Sequence, residues 1–206
     1  MRRFVLLVAT VSACVLVGLA AAAKPRSVTI SLSKPIVVYG GSVTLSGTVS
    51  SHQAGEQVSV MGREFGTATY TQVNVATTAA RGSWTYAATP QIQTSYKAQW
   101  GTVLSKAVTV KVRPRITLTL VSRTARRGTF SVEVDGNRSF TGKRVLIQRL
   151  TADGPTAVKR VTLNSSSTAT FTIRIPRHHA RVRAVMSAAQ AAPGYIAGYS
   201  NVWKSS

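Results

Sequence analysis

Cysteine is almost absent from this chain of 206 residues. The single cysteine, Cys14, lies in an apolar segment at the N-terminus. A mature chain without that segment therefore has no disulfide and no thiol chemistry. Its stability must come from apolar cores alone. Divided into two units, residues 24–206 give about 90 residues each, which is enough for a self-sufficient core.

Acidic residues and histidines are also scarce. Five Asp and Glu stand against 26 Lys and Arg, and there are three histidines. Glycoside hydrolysis generally needs two facing carboxylates, zinc needs three or four ligands, and calcium needs several oxygen ligands. The chain also lacks a Gly-x-Ser-x-Gly elbow and a phosphate-cradling glycine loop. We therefore expect no enzymatic activity, no metal site and no cofactor.

The first 23 residues differ from the rest. Arg2 and Arg3 precede an uncharged run that ends in four alanines at Ala23. This pattern predicts a signal peptide over residues 1–23, cleaved after Ala23, and hence a secreted or cell-envelope location. Two alternatives stay open. The segment is a retained membrane anchor, since about 20 apolar residues can span a bilayer, or it is a lipoprotein signal acylated at Cys14, which small residues precede.

The remaining chain alternates apolar and polar residues. Residues 42–49 place Val43, Leu45 and Val49 on one face and hydroxyls on the other. Such alternation is typical of strands with one buried and one solvated face. Glycine-containing turns separate the runs, which predicts an all-β sandwich or barrel. The predicted strands are 27–33, 42–49, 56–62, 69–78, 83–88, 94–100, 103–112, 115–122, 129–135, 143–150, 156–163, 168–175, 180–187 and 198–204.

The second half repeats the first at an offset of about 87 residues. The matched positions are Val43 with Phe130, Leu45 with Val132, Val58 with Val145, Trp84 with Phe171 and, one residue short, Ala98 with Ala184. The repeat predicts two domains, residues 24–113 and 114–206. Pro114 joins them directly, and because proline restrains the chain on both sides, we expect a stiff joint and an elongated, two-lobed rod.

The alternation also predicts which side chains form the cores. We expect Trp84 and Trp100 to fill the first core rather than to stack on sugars. The other predicted core residues are Val43, Leu45, Val58, Val60, Tyr86, Tyr96, Ala98, Val108 and Val110 in the first half, and Leu118, Phe130, Val132, Val145, Ile147, Val161, Leu163, Phe171, Ile173, Val182 and Ala184 in the second.

The segments YGGSVTLSGTV, GEQVSV, GSWTY, TSYKAQW and SKAVTVKVRP resemble bacterial immunoglobulin-like domains of secreted and surface proteins. GKRVLIQR and AAPGYIAGYSN resemble the second domain of a tandem pair of this kind. The resemblance covers residues 24–204 and implies two tandem immunoglobulin-like antiparallel β-sandwiches. It also implies a spacer, adhesion or carbohydrate-contacting role, and it specifies turns and core positions rather than a site.

Basic residues far outnumber acidic residues in this chain. Loss of Arg2 and Arg3 with the leader lowers the formal net charge from +21 to +19, and most of it lies in the second half. Such a charge predicts attraction to polyanions. The candidate polyanion-binding residues are Arg126, Arg127, Lys143, Arg144, Arg174, Arg177, Arg181 and Arg183. If the strands carrying Arg174 and Arg181 are neighbours, their outer faces form one basic surface. Otherwise these residues are the solvated faces of sheets.

These features favour a non-catalytic exported protein that acts as a spacer or adhesion module. The alternative is a binding module for an anionic cell-wall polymer through the second domain. Single-stranded nucleic-acid binders interleave exposed aromatics with cations, and in sequence no aromatic lies between these arginines. We therefore expect no specific nucleic acid as a partner, and membrane contact only through a retained leader. Another surface protein is a further candidate partner, and an inhibitor presenting the loop of residues 188–197 stays open.

Overall fold

The computed structural model describes residues 25–176 and 180–205. The predicted signal peptide with Cys14 lies outside these residues, as does Arg177. The described part contains one α-helix, α1 (Ala188–Ala191), and a 3-10 turn at Ala80–Gly82. None of its helices combines the length and the hydropathy needed to cross a bilayer.

The first half forms two sheets. A three-stranded sheet has the order β1-β3-β6, and a larger sheet has the order β2-β9-β7-β4-β5 with β8 also on β7. All pairs are antiparallel except β2 with β9. The strands are β1 (Ser31–Leu32), β2 (Ile36–Val38), β3 (Val43–Thr48), β4 (Gln57–Glu64), β5 (Thr71–Thr77), β6 (Ser83–Ala88), β7 (Thr94–Trp100), β8 (Val103–Leu104) and β9 (Val108–Arg113).

The second half has the same plan. A three-stranded sheet has the order β10-β11-β14, and a larger sheet has the order β13-β12-β15-β16 with β17 also on β15. The strands are β10 (Arg115–Arg123), β11 (Arg127–Asp135), β12 (Arg144–Thr151), β13 (Gly154–Thr162), β14 (Thr168–Arg174), β15 (Arg181–Met186), β16 (Gly198–Tyr199) and β17 (Trp203–Lys204). The predicted all-β sandwich class is confirmed. The domain limits at residues 113 and 114 stay a prediction.

Two predicted strands are wrong as continuous elements. Residues 27–33 keep one register with residues 44–50, through the bridge of Val28 with Val49, through β1, and through the N–H of Ser33, which donates to the carbonyl of Thr44 at 2.9 Å. The chain then crosses to the other sheet at Pro35, which has no N–H for a ladder, and continues as β2. Residues 103–112 divide at Ser105. Its N–H donates to the carbonyl of Ala98, and its hydroxyl accepts from the amide of Ala98, both at 2.9 Å. The hydroxyl thus takes the place of a strand carbonyl.

A serine interrupts the predicted strand 198–204 in the same way. Ser200 N–H donates to the carbonyl of Ala184 at 2.9 Å, and the Ala184 amide donates to the Ser200 hydroxyl at 2.8 Å. Ala184 is the sequence counterpart of Ala98. The register shift that follows Val60 in β4 also recurs at its counterpart Ile147 in β12. The two halves therefore share local irregularities as well as strand order.

The fixed offset fails for one strand. Leu45 pairs with Tyr86, whereas its counterpart Val132 pairs with Ala169. By pairing, β14 therefore corresponds to β6 at an offset of 83 residues, and the match of Trp84 with Phe171 is wrong. The slip of four residues is even, so it keeps the same side chains on the buried face. For that reason the alternation did not reveal it.

The predicted core is buried with two exceptions. Trp84 and Trp100 are buried, as are all the core residues predicted for the second half. Phe130 stacks on Phe171 at a centroid distance of 5.8 Å and meets the edge of Trp203 at 5.1 Å. Tyr86 and Val108 are only partly buried. Tyr86 borders a groove open to solvent, and Val108 is the first residue of β9.

Gly47 in β3 lies where the chain before β1 approaches most closely. A Cβ placed on Gly47 would come within 1.9 Å of the Thr29 carbonyl oxygen and 2.8 Å of Nε1 of Trp84. The Thr29 carbonyl is backbone and is held in place, since Thr29 N–H donates to the carbonyl of Thr48 at 2.9 Å. Only glycine allows this approach.

We expect Gly47→Ala to lower the free energy of unfolding by about 1–3 kcal/mol, because the added methyl overpacks the contact with Thr29. Thr44→Ala is the matched control, since Thr44 is exposed on the same strand, and it should change stability by less than about 0.5 kcal/mol. Urea unfolding measures both variants. Equal losses would contradict the assignment.

The segment between β15 and β16 joins the two halves. Tyr195 is 5% exposed, its hydroxyl donates to the carbonyl of Gln91 at 2.6 Å, and it accepts from the amide of Asn137 at 2.6 Å. Gln93 N–H donates to the carbonyl of Gly194 at 3.0 Å, close to Tyr195. The segment is therefore packed against the first half. It does not project as an inhibitory loop would, so that interpretation is wrong.

Further contacts brace the joint at Pro114. Ile196 N–H donates to the carbonyl of Val112 at 2.9 Å. Arg113 donates to the carbonyl of Ala197, and Arg115 donates to the carbonyl of Tyr39 at 2.9 Å. Both guanidinium groups flank the proline and hold backbone oxygens on either side of it. These bonds support the expected stiffness, while the elongated shape stays a prediction.

Tyr195→Phe should lower the free energy of unfolding by about 1–3 kcal/mol at pH 7, because two hydrogen bonds are lost, one with the amide of Asn137 and one with the carbonyl of Gln91. Burial raises the pKa of Tyr195 above its ordinary value. The stability that this shift contributes is present below about pH 10 and is lost at higher pH. The difference between wild type and Tyr195→Phe should therefore shrink above pH 10. Urea titrations from pH 7 to 11 test this, and a constant difference would contradict it.

Candidate anion-binding surfaces

The predicted polyanion-binding residues divide between two sheets. Arg127 on β11 lies directly opposite Arg174 on β14 in the smaller sheet. Arg181 and Arg183 lie on β15 in the larger sheet. The strands β14 and β15 are therefore not neighbours, and the single basic surface expected from adjacent strands does not form. Arg177 lies outside the described residues.

The other three candidates lie at two ends of the second half. Arg126 is exposed in the β10–β11 hairpin, near the ends of β14 and β15 that point away from Pro114. Lys143 is partly buried just before β12, and Arg144 is exposed on that strand. Arg144 lies beside Gln190, whose side-chain oxygen accepts from the Arg144 amide at 2.6 Å. Lys143 and Arg144 are therefore at the end close to the first half.

The outer face of the larger sheet in the second half is uniformly basic. Since Val145, Ile147 and Val182 face the core, the alternate residues of these strands face solvent. We name this surface, together with the adjoining Arg113 of β9 in the first half, the basic face. The strands of the sheet contribute Arg144, Arg160, Arg181, Arg183 and Lys204. The strands β12, β13, β15, β16 and β17 carry no Asp or Glu.

Tyr199 lies between two arginines of the basic face. Its ring is 49% exposed, with the guanidinium carbon of Arg113 5.4 Å from the ring centroid and that of Arg183 at 5.1 Å. β16 places Tyr199 there by pairing it with Val185 on β15. No aromatic lies between the arginines in sequence, but the fold places Tyr199 between Arg113 and Arg183.

A shallow depression of about 310 Å³ lies on the same face. Its apolar lining includes Leu146 and Val185, and Arg144 and Arg160 flank it with Gln190. Leu146 pairs with Arg160 on one side and with Val185 on the other, so these side chains form one row across three strands. The arrangement provides apolar contact beside two cations.

A second arginine-lined cleft lies at the far end of the same half. Arg126, Arg149 and Arg174 line it together with Ile175 and Pro176, and its volume is about 380 Å³. We name it the arginine cleft. Arg149 was not among the predicted site residues, because it occupies an inward position of β12, opposite the buried Val182. The sequence does not show that Arg149 meets Arg126 and Arg174 in the fold.

The first half contains a groove but no catalytic arrangement. The groove of about 350 Å³ is lined by Tyr86, Tyr96 and one carboxylate, Glu64, among other residues. Burial raises the pKa of Tyr96 to about 12, so its hydroxyl keeps its proton at neutral pH. Across residues 25–176 and 180–205, no three His, Cys, Asp or Glu side chains come together as a metal site would require.

Comparison with known proteins leaves the chain without a family assignment. No model of a known family and no curated protein matches it. Among solved structures, a tetra-tandem repeat in the extending region of a large adhesion protein matches 87% of this chain and 49% of its own length, at 14% identity and a TM-score of 0.37. A Salmonella alpha-2-macroglobulin variant matches 86% of this chain and 14% of its own length, at 12% identity and a TM-score of 0.30. At these scores neither likeness bears on function.

Proposed function

We propose that the chain is a non-catalytic exported module of the cell envelope, built from two tandem immunoglobulin-like sandwiches and acting as a spacer or adhesion module. Two features support this proposal. Each half pairs a three-stranded sheet with a larger sheet, and immunoglobulin-type sandwiches are likewise built from two predominantly antiparallel sheets. The Tyr195 hydroxyl and the backbone bonds around it brace the halves against each other, as a spacer requires.

The adhesive surface in this proposal is the basic face, and its partner is an anionic cell-surface polymer. One observation carries this: the solvated side of an entire sheet presents five cations, with Arg113 beside them, and its strands carry no carboxylate. Guanidinium groups bind phosphates through pairs of N–H donors. Within the described residues, Arg144, Arg160 and Arg181 have no carboxylate partner that would compete with a polymer.

Strand pairing on this face favours binding over simple solvation. Arg181 lies directly opposite Lys204 on β17. Like charges directly opposite each other destabilise a sheet. A sequence under selection for stability alone would place an opposite or neutral residue there. A repulsion kept at such a site is typical of a functional surface, because a bound polyanion relieves it.

The salt dependence of polymer binding tests the basic face. We expect the affinity for a poly(glycerol phosphate) polymer to fall steeply as NaCl rises, because binding releases counterions. The double variant Arg144→Gln/Arg160→Gln should flatten the slope of log K against log[NaCl] by about 0.7–0.9 per lost contact. Lys34→Gln/Lys106→Gln removes the same charge from exposed positions of the first half and should leave the slope unchanged.

Two results would count against this surface. If both double variants flatten the slope equally, the polymer responds to net charge and not to the basic face. If wild-type protein does not bind, the polymer proposal fails and only the spacer role is left. Retention of the protein on immobilised polymer at stepped NaCl concentrations gives an independent reading.

A further inference from the structure

We propose that the arginine cleft binds a single tetrahedral oxyanion, the phosphate group of a phosphomonoester or of inorganic phosphate. The proposal goes beyond the polymer-binding role, because the cleft lies where the two sheets meet at the far end of the second half and not on the basic face. Three arginines, Arg126, Arg149 and Arg174, line one cavity of about 380 Å³.

The backbone around the cleft is held in place before any ligand binds. The amide of Ile175 donates to the carbonyl of Arg126 at 3.0 Å, which ties the β10–β11 hairpin to the end of β14. Thr124 closes the hairpin, since its N–H donates to the carbonyl of Arg127 at 2.8 Å. Arg149 reaches across from β12, and its Nη2 donates to the carbonyl of Arg174 at 2.8 Å. These bonds hold the backbone of Arg126 and Arg174 and the side chain of Arg149 in place without using the ligand.

The cleft contains donors without acceptors. Nε of Arg149 is buried and has no hydrogen-bond partner. An unsatisfied buried donor on a charged group costs free energy, so an acceptor arriving at this point is favoured. Within residues 25–176 and 180–205, the side chains of Arg126 and Arg174 form no ion pair. The ligand that satisfies these groups must be an anion with several acceptor oxygens.

Strand register adds a second, independent indication. Arg127 lies directly opposite Arg174, which lines the cleft. This like-charge pair destabilises the smaller sheet in the absence of an anion. It is the counterpart, on this sheet, of the Arg181–Lys204 pair on the larger one. A dianion bound beside Arg174 would neutralise the repulsion.

The lining indicates the ligand class. Among the described residues, the lining besides the arginines is Ile175 and Pro176, which offer neither an aromatic ring for a base nor a carboxylate for a metal ion. Guanidinium forks match the oxygen pairs of phosphate. The recognised group is therefore the phosphate itself, whether free or at the end of a larger molecule. A nucleotide base or a metal complex is not accommodated by these residues.

Calorimetric titration with inorganic phosphate and with glycerol 3-phosphate, at constant ionic strength, tests the cleft. We expect saturable binding of at least one of them. Arg126→Gln and Arg174→Thr should each weaken that binding at least tenfold, and Arg160→Gln on the basic face should leave it within twofold. Preference for glycerol 3-phosphate would identify an esterified phosphate as the ligand, and preference for phosphate would identify the free ion. Absence of binding, or equal losses in all three variants, would overturn the proposal.

Thermal denaturation separates loss of the site from loss of the fold. In phosphate-free NaCl buffer, Arg174→Thr should melt at or above the wild-type temperature, because it removes the repulsion with Arg127. Phosphate should raise the melting temperature of wild type, since a ligand stabilises the state that it binds, and leave that of Arg174→Thr unchanged. An equal rise in both would place phosphate elsewhere. Failure of polymer binding by the basic face would leave these results unaffected.

Discussion

The burial of alternate side chains between two facing sheets, once in each half, is the constraint on which the rest of this protein depends. With no cysteine among the described residues, the apolar cores are closed without covalent help. Because neighbouring residues of a strand point to opposite faces, filling the cores with Val, Ile, Phe and Trp sends the other residues of each strand to the surface. In the second half most of the charged ones are cations, so the basic face is a direct consequence of how the core is filled.

The two halves are coupled near Pro114 by several hydrogen bonds, and Tyr195 has the most buried of the side chains that form them. Tyr195 contributes to this coupling, because a single buried hydroxyl bonds to backbone groups of both halves. Arg138 supports it from within the second half, where its guanidinium lies 4.9 Å from the ring centroid of Phe140 and donates to the carbonyl of Ala191 at 2.6 Å. A polar group placed in this way fixes the relative position of the parts it bonds, since breaking either bond leaves a buried group unsatisfied.

Some cations of the second half lie where they destabilise its sheets, and others stabilise it. Two pairs of cations lie directly opposite each other, Arg127 with Arg174 and Arg181 with Lys204. Other cations are used structurally. Arg149 and Lys159 donate to the carbonyls of Arg174 and Thr172 on β14, at 2.8 and 3.4 Å. These bonds cover an edge strand whose backbone groups would otherwise be open to pairing. Charge in this half therefore protects an edge, and in the proposed function it also provides the surfaces that bind anions.

The sequence by itself determined the fold class, the strands, the buried face of nearly every strand and the excess of positive charge, because alternation with a period of two is a local property of the chain. It could not determine which strands share a sheet, since pairing joins residues far apart in sequence. The tertiary structure determines this pairing of strands. It separated Arg174 from Arg181, brought Tyr199 between Arg113 and Arg183, and placed Arg149 beside Arg126. It also allowed β14 to slip by four residues without exposing Phe171, because an even shift keeps the buried face and leaves no trace in the pattern.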